Sequence, residues 1–156
     1  MFTQKIKTPP SLYEMDYNLW VLETVKKLQA RDFSRLDLEN LIEEVVDLGR
    51  RDKRKLENLL TRLIEHLLKL AYWDAERERN IGHWQGEIRT FRKQIKKELR
   101  DSPSLKNYCH EIFEECYQDA REIVRDKSQL PIEHFPQVPI AKLEQILDLE
   151  WFPEDN

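Results

Sequence analysis

The sequence predicts an all-α fold: an antiparallel helical bundle of four main helices, with one long central helix and a short helix near the C-terminus. Three observations carry that prediction. Only three glycines (Gly49, Gly82, Gly86) occur in 156 residues, too few for a protein built of hairpins. Leu, Glu, Lys and Arg, all good helix formers, are abundant. Apolar residues recur at helical spacing through most of the chain.

A chain of this length fits one domain, residues 1–156 with a core from about 12 to 150, and can bury that core without disulfide or metal staples. The first helix is expected from about Leu12 to Ala30. Leu12, Met15, Leu19 and Leu22 share one face and Tyr17, Val21, Val25 and Leu28 another, the pattern of a helix packed on two sides. "RDFSRLD" reads as a turn, with Asp37 suited to cap the next helix.

The second helix is expected from about Leu38 to Tyr72, roughly 50 Å long by its rise. With Leu38 set at zero and 100° per residue, Leu41, Ile42, Val45, Gly49, Leu56, Leu59, Leu60, Leu63, Leu67, Leu70 and Ala71 fall within about 60° of that reference. The stripe does not drift, so a sustained left-handed coiled coil is not indicated. Gly49 is the place where the helix would bend.

"DAERERNIGH" is polar and holds Gly82, and reads as a loop. A third helix is expected from about Trp84 to Arg100, with Trp84, Ile88, Phe91, Ile95 and Leu99 on one side. In "DSPSL", Ser102 is expected to cap and Pro103 to take the first position of a fourth helix. That helix runs to about Lys127 and buries Leu105, Cys109, Ile112, Cys116, Ala120 and Ile123. "LPIEHFPQVP", with three prolines, is expected to be extended. A fifth, short helix covers about Ile140 to Leu147, and "WFPEDN" closes the chain.

Charged residues make up 36% of the sequence, 26 basic against 30 acidic, for a net charge of -4. That balance argues against wholesale nucleic-acid binding and leaves room for a local patch. The N-terminus has no apolar core of a secretory signal, and no run of eighteen apolar residues exists to span a membrane. Cys109 and Cys116 would lie about 10 Å apart along one helix face, too far to bridge. A reducing, cytoplasmic setting is therefore expected.

Several features tempt a catalytic reading. Glu43 and Glu44 sit roughly 140° and 240° from the stripe reference with Asp47 between them, so a solvated acidic face is expected. His66 lies at the edge of the apolar stripe. A metal site shared by Glu44 and His66 would need the helix to fold back at Gly49 or the two groups to converge between chains, because 22 residues of continuous helix separate them by about 33 Å. Glu-x-x-His, C-x-x-C and H-E-x-x-H are all absent. The pairs His110/Glu114 and His83/Glu87 are ordinary helix-surface spacings. Cys109 falls on an apolar stripe, where a thiol is a small hydrophobe. No catalytic residue, metal or cofactor is expected. Asp52 falls inside the apolar arc, and a buried carboxylate there calls for a partner such as Lys55.

The basic clusters differ. In "RRDKRK" the charges scatter around the helix. In the third helix Arg89, Arg92, Lys93, Lys96, Lys97 and Arg100 form a row of about 16 Å, able to track phosphates. The fourth helix carries an acidic row, Glu111, Glu114, Glu115 and Glu122, which could neutralise it within the bundle or across an oligomer.

Taken in order, "YEMDYNLWVLETVKKLQARDFSRLD" (Tyr13 to Asp37), "LIEEVVDLG", "HLLKL", Trp84, Arg92, "SPSL", "YQDAR" and "FPQVP" resemble domain-of-unknown-function family 29, a bacterial family abundant in cyanobacteria. The resemblance covers nearly the whole chain. It implies an all-α, soluble bacterial protein with no established activity. It marks Trp20, Glu43, Glu44, Gly49, His66, Lys69, Trp84 and Arg92 as pattern positions without an assigned role. Gly82-His83 departs from the family, which often has a serine, a natural cap, before the tryptophan.

The sequence thus points to a small non-catalytic protein-interaction or self-associating helical domain whose partner is a protein or a second copy. The competing readings are a nucleic-acid-binding module through the basic face of the third helix, and a metal-dependent enzyme using Glu43, Glu44 and His66.

Overall fold

The computed structural model describes residues 9–154. The leader reading of the first residues, and the last two residues of "WFPEDN", lie outside the described residues. The regular elements of the described chain are all helical, with no strand among the described residues. It divides into two compact units, residues 1–49 and 50–156.

The first unit holds α1 (Leu12–Met15), α2 (Tyr17–Gln29), a 3-10 turn (Phe33–Arg35) and the start of α3 (Leu38–Tyr72). The single first helix expected from the sequence is in fact two. Asp16 takes an extended conformation (φ -148°, ψ 87°) and its carboxylate accepts from the Leu19 amide at 2.9 Å, so it caps α2 instead of continuing α1. Arg31, in the left-handed region (φ 55°), closes the end of α2. The chain then turns back. Trp20 Nε1 donates to Asp37 at 3.3 Å, and the Tyr13 and Tyr17 hydroxyls each donate to Glu44 at 2.6 Å. Ascending positions on α1 and α2 therefore meet descending positions on α3, which is an antiparallel hairpin.

The second unit is organised around the rest of α3, whose bounds match the sequence expectation. From Leu63 to Ala71 every residue of α3 is buried, because apolar groups on all its sides are covered. α4 (Asp74–Asp101) runs antiparallel to it, with Lys55 bonded to Glu98 near one end and Arg62 stacked over Phe91 further along. α5 (Leu105–Ser128) runs parallel to α3, so that Tyr108 meets Glu57 and Lys127 meets Glu65. The three make an up-down-up bundle. Its core includes Leu60, Ile64, Leu67, Ile88, Ile95, Tyr117 and Val124.

"DAERERNIGH" is not a loop: α4 begins at Asp74. Acidic Asp74 and Glu76 suit the positive end of the helix dipole. Arg77 reaches back to the carbonyls of Leu70 and Ala71 at 2.7 and 2.8 Å, satisfying acceptors that the end of α3 leaves open. Arg79 pairs with Glu76 at 2.6 Å. A glycine in a helix costs about 1 kcal/mol against alanine, too little for Gly82 to override these contacts.

Three further boundaries differ. Ser102 ends α4, its amide bonded to the Glu98 carbonyl, and Pro103 lies in a turn; α5 starts at Leu105. "LPIEHFPQVP" contains a 3-10 turn at Ile132–His134. Arg121 fixes it by donating to the carbonyls of Phe135 (2.9 Å) and Ile132 (3.1 Å), and Phe135 is fully buried. The last helix, α6, is shorter than expected, Leu143–Leu147. Ile123 is only half-buried, and Val124 takes its place in the core. Among the described residues no helix is long and apolar enough to cross a membrane.

Candidate functional site

The apolar stripe of α3 has two fates. Beyond Leu56 it forms the core of the second unit. Before Gly49 it is bare: Leu38 is 58% exposed, Ile42 53% and Val45 60%. Val46 and Leu48 are exposed too, as are Leu19, Leu22, Val25 and Leu28 on α2. Among the described residues, all the exposed large apolar side chains except Ile81 and Val138 belong to the first unit. The exposed apolar groups are thus concentrated on a segment with only Trp20 and Thr24 buried in α2.

What holds this hairpin together is aromatic and polar. Tyr13, Tyr17 and Trp20 pack together with ring centroids 4.8 to 5.9 Å apart. The hydrogen bond to Glu44 pushes the Tyr13 hydroxyl up to about 12. Glu44 is thus committed to two phenols, not turned to solvent as the helical wheel implied, and Asp47 is also half-buried. Glu43 is exposed, as expected. Trp20 is buried and anchored on Asp37, which also accepts from Asn40 at 2.7 Å. Gly49 is helical, and a Cβ there would meet nothing within 4 Å.

Asp52 is a correction. It falls within the apolar arc, but the arc is bare at that point and Asp52 is exposed; Lys55 bonds Glu98 instead.

The second unit holds a buried ionic group. Glu65 and Lys69 are 3.0 Å apart with side chains only 3% and 9% exposed, and Lys127 from α5 closes on the same carboxylate. Burial alone would raise the Glu65 carboxyl, but hydrogen bonds from Lys127 and Lys69 outweigh it and hold the group below its ordinary range. Burial pulls Lys69 down. Next to them, His66 is buried, its Nδ1 2.8 Å from the Arg62 carbonyl and its ring 5.2 Å edge-on from Phe91. Burial holds the imidazole below its usual value, so it is neutral at pH 7. Lys69 and His66 were singled out in the sequence; Glu65 and Lys127 were not. Their signal was the near-continuous apolar run "LIEHLLKLA", which no single-faced helix would need.

Arg92 corrects the basic row. It is fully buried, donating from Nε to the Ile146 carbonyl at 2.7 Å, with its guanidinium 5.2 Å from the Phe152 ring. Burial lowers its pKa to about 10. Neither Nη has a hydrogen-bond partner among the described residues. The row that remains exposed is Arg89, Lys93, Lys96, Lys97 and Arg100, with Arg89 laid over Phe152 at 5.5 Å. Trp84 is buried and stacked on Trp73 at 5.9 Å. Of the acidic row of α5, Glu115 and Glu122 join Asp119, Asp126 and Glu57 around a cleft of about 420 Å³ between α3 and α5.

α3 is helical from Leu38 to Tyr72, Gly49 included. Among the described residues no three His, Cys, Asp or Glu side chains stand together as metal ligands would. Cys109 and Cys116 are free and buried, and burial raises the Cys109 thiol to about 11, well away from a reactive thiolate.

Comparison with known proteins adds one relationship. A family described as "Domain of unknown function DUF29" matches residues 12–152. No curated protein and no solved structure matches.

Proposed function

Since the chain belongs to the DUF29 family, whose description names no activity, we propose its function from its surface: it is a non-catalytic interaction domain that docks a protein partner through the first unit. One observation carries this reading, the bare half of the α3 stripe. A monomer seldom leaves so many large apolar side chains of one segment in water. The second unit supplies the opposite property, a packed core with a buried ionic cluster, and serves as a rigid scaffold.

The docking mode that fits is helix against helix, with Leu38, Ile42 and Val45 as anchors at successive turns. The test is a photo-reactive side chain placed at Val45 or, as control, at Lys97, followed by cross-linking in a concentrated cell extract. Docking through this face gives discrete adducts from Val45 and none from Lys97. It also requires Ile42→Asp/Val45→Asp to abolish any association of the intact protein without changing its helicity. Adducts from neither position, or an association indifferent to the double substitution, overturn the reading.

A further inference from the structure

We propose that Arg92 and Arg89 of α4 form a binding site for an oxyanion of the phosphate class, and that Phe152 closes this site as a displaceable gate. All three residues belong to the second unit, so the site does not depend on the docking reading.

Arg92 is fully buried, and its Nε donates to the Ile146 carbonyl at 2.7 Å. That bond fixes the guanidinium plane and leaves its far end, Nη1 and Nη2, without a hydrogen-bond partner among the described residues. Burying an ionised group with idle donors is costly, and such a group in a folded protein calls for a counterpart. Two idle Nη groups on one rigid plane make the fork that grips two oxygens of an oxyanion.

A second cation stands beside it. The guanidinium carbons of Arg89 and Arg92 lie 5.5 and 5.2 Å from the centre of one and the same ring, that of Phe152. Like charges three residues apart on a helix repel, and no ion pair reaches either arginine among the described residues. Asp148 and Glu150 attract Arg92 through space without a hydrogen bond to it. The Asp148 carboxylate is engaged in its own turn, accepting the Glu150 amide at 3.0 Å. A phosphate dianion neutralises both arginines at once, which a singly charged carboxylate does not.

The ring that covers the pair is lightly held. After α6 the chain makes one turn, closed by the Trp151 amide on the Asp148 carbonyl at 3.3 Å. Beyond it Phe152 and Pro153 make no backbone hydrogen bond among the described residues, so side-chain contacts keep Phe152 in place. With Tyr72, Ile140 and Trp151 it also lines a cleft of about 420 Å³. That space admits a phenyl ring, so a change of rotamer carries Phe152 off the guanidiniums while the helices stay as they are. An anion drawn in past the exposed Arg89 then meets the Arg92 fork.

The test uses purified full-length protein in phosphate-free buffer, titrated calorimetrically with sodium phosphate against sodium chloride of equal ionic strength. Phosphate is expected to bind with half-saturation in the millimolar range, because the gate must open first. Phe152→Ala should tighten binding about tenfold or more, as removal of a closed state does. Arg89→Met should weaken it, Arg92→Met should abolish it, and Lys97→Met should leave it unchanged. A readout on the wild-type fold stands beside these variants: a fluorine label on the Phe152 ring should shift its resonance with phosphate and not with chloride. Binding no tighter in Phe152→Ala would overturn the proposal, as would a fluorine signal indifferent to phosphate. Equal losses from Lys97→Met and Arg92→Met would do the same, since they would mark a general attraction to the basic row. Acetate binding as well as phosphate would overturn the ligand class.

Discussion

Val45 and Leu56 lie on the same stripe of α3, about three turns apart, yet Val45 is 60% exposed and Leu56 fully buried. The helix is the same; only the surroundings differ. Truncation should report the difference in dilute protein. Leu56→Ala is expected to cost about 2–5 kcal/mol, the range for opening a cavity in a core. Val45→Ala should stay within about 0.5 kcal/mol. Urea denaturation at sub-micromolar concentration measures both.

Glu65 holds two ammonium groups in a buried place. Glu65→Ala strands Lys69 without its partner, and the expected loss is about 3–5 kcal/mol, as for breaking any buried pair from one side. Lys127→Ala should cost clearly less, because Lys127 is 49% exposed and its removal leaves the Glu65–Lys69 pair intact. Equal losses from the two substitutions would show that the charges are not what holds this region together.

Arg92 buries a guanidinium beside the Phe152 ring, and its Nη atoms have no hydrogen-bond partner among the described residues. Arg92→Met keeps the volume but strands the Ile146 carbonyl, and is expected to cost about 1–3 kcal/mol, whereas Arg92→Ala also opens a cavity and should cost roughly 3 kcal/mol or more. Thermal unfolding followed by tryptophan fluorescence, which also senses Trp151 beside Phe152, separates the outcomes.

His66 predicts an acid-sensitive step. Burial lowers its folded pKa below that of the unfolded chain, near 6.5. The unfolded state then binds the extra proton first, so the stabilisation is complete above about pH 6.5 and falls as pH drops through the lowered folded value. Glu65, also depressed when folded, adds a second loss below about pH 4.5. In His66→Gln the first decline should disappear and the second remain. Midpoints of urea unfolding between pH 3.5 and 7.5 test this.

Gly49 sits inside a helix without needing a glycine's backbone freedom, and a Cβ there meets open space. Gly49→Ala should therefore raise the stability of dilute protein by up to about 1 kcal/mol, the difference in helix propensity. A fall in melting temperature would reveal a contact at Gly49 beyond those described.

Much of the architecture was legible because periodicity is local. The bounds of α3 followed from one undrifting stripe, and the apolar side of α4 from Trp84, Ile88, Phe91, Ile95 and Leu99. The start of α4 was not legible, since Arg77 holds it by reaching carbonyls of another helix. Asp16 broke the first helix for a similar reason: a side chain that bonds a nearby amide competes with helix continuation, and composition does not say which wins.

The candidate site shows the same division more sharply. The sequence by itself determined the helices, their apolar stripes and the order of charge along them, because these depend on spacing within one segment. It did not determine which stripe is covered. Burial depends on what other segments place against a face. That is why Arg92 left the basic row for the core, Asp52 stayed in water, Glu44 took two tyrosines, and half of a uniform stripe stayed exposed.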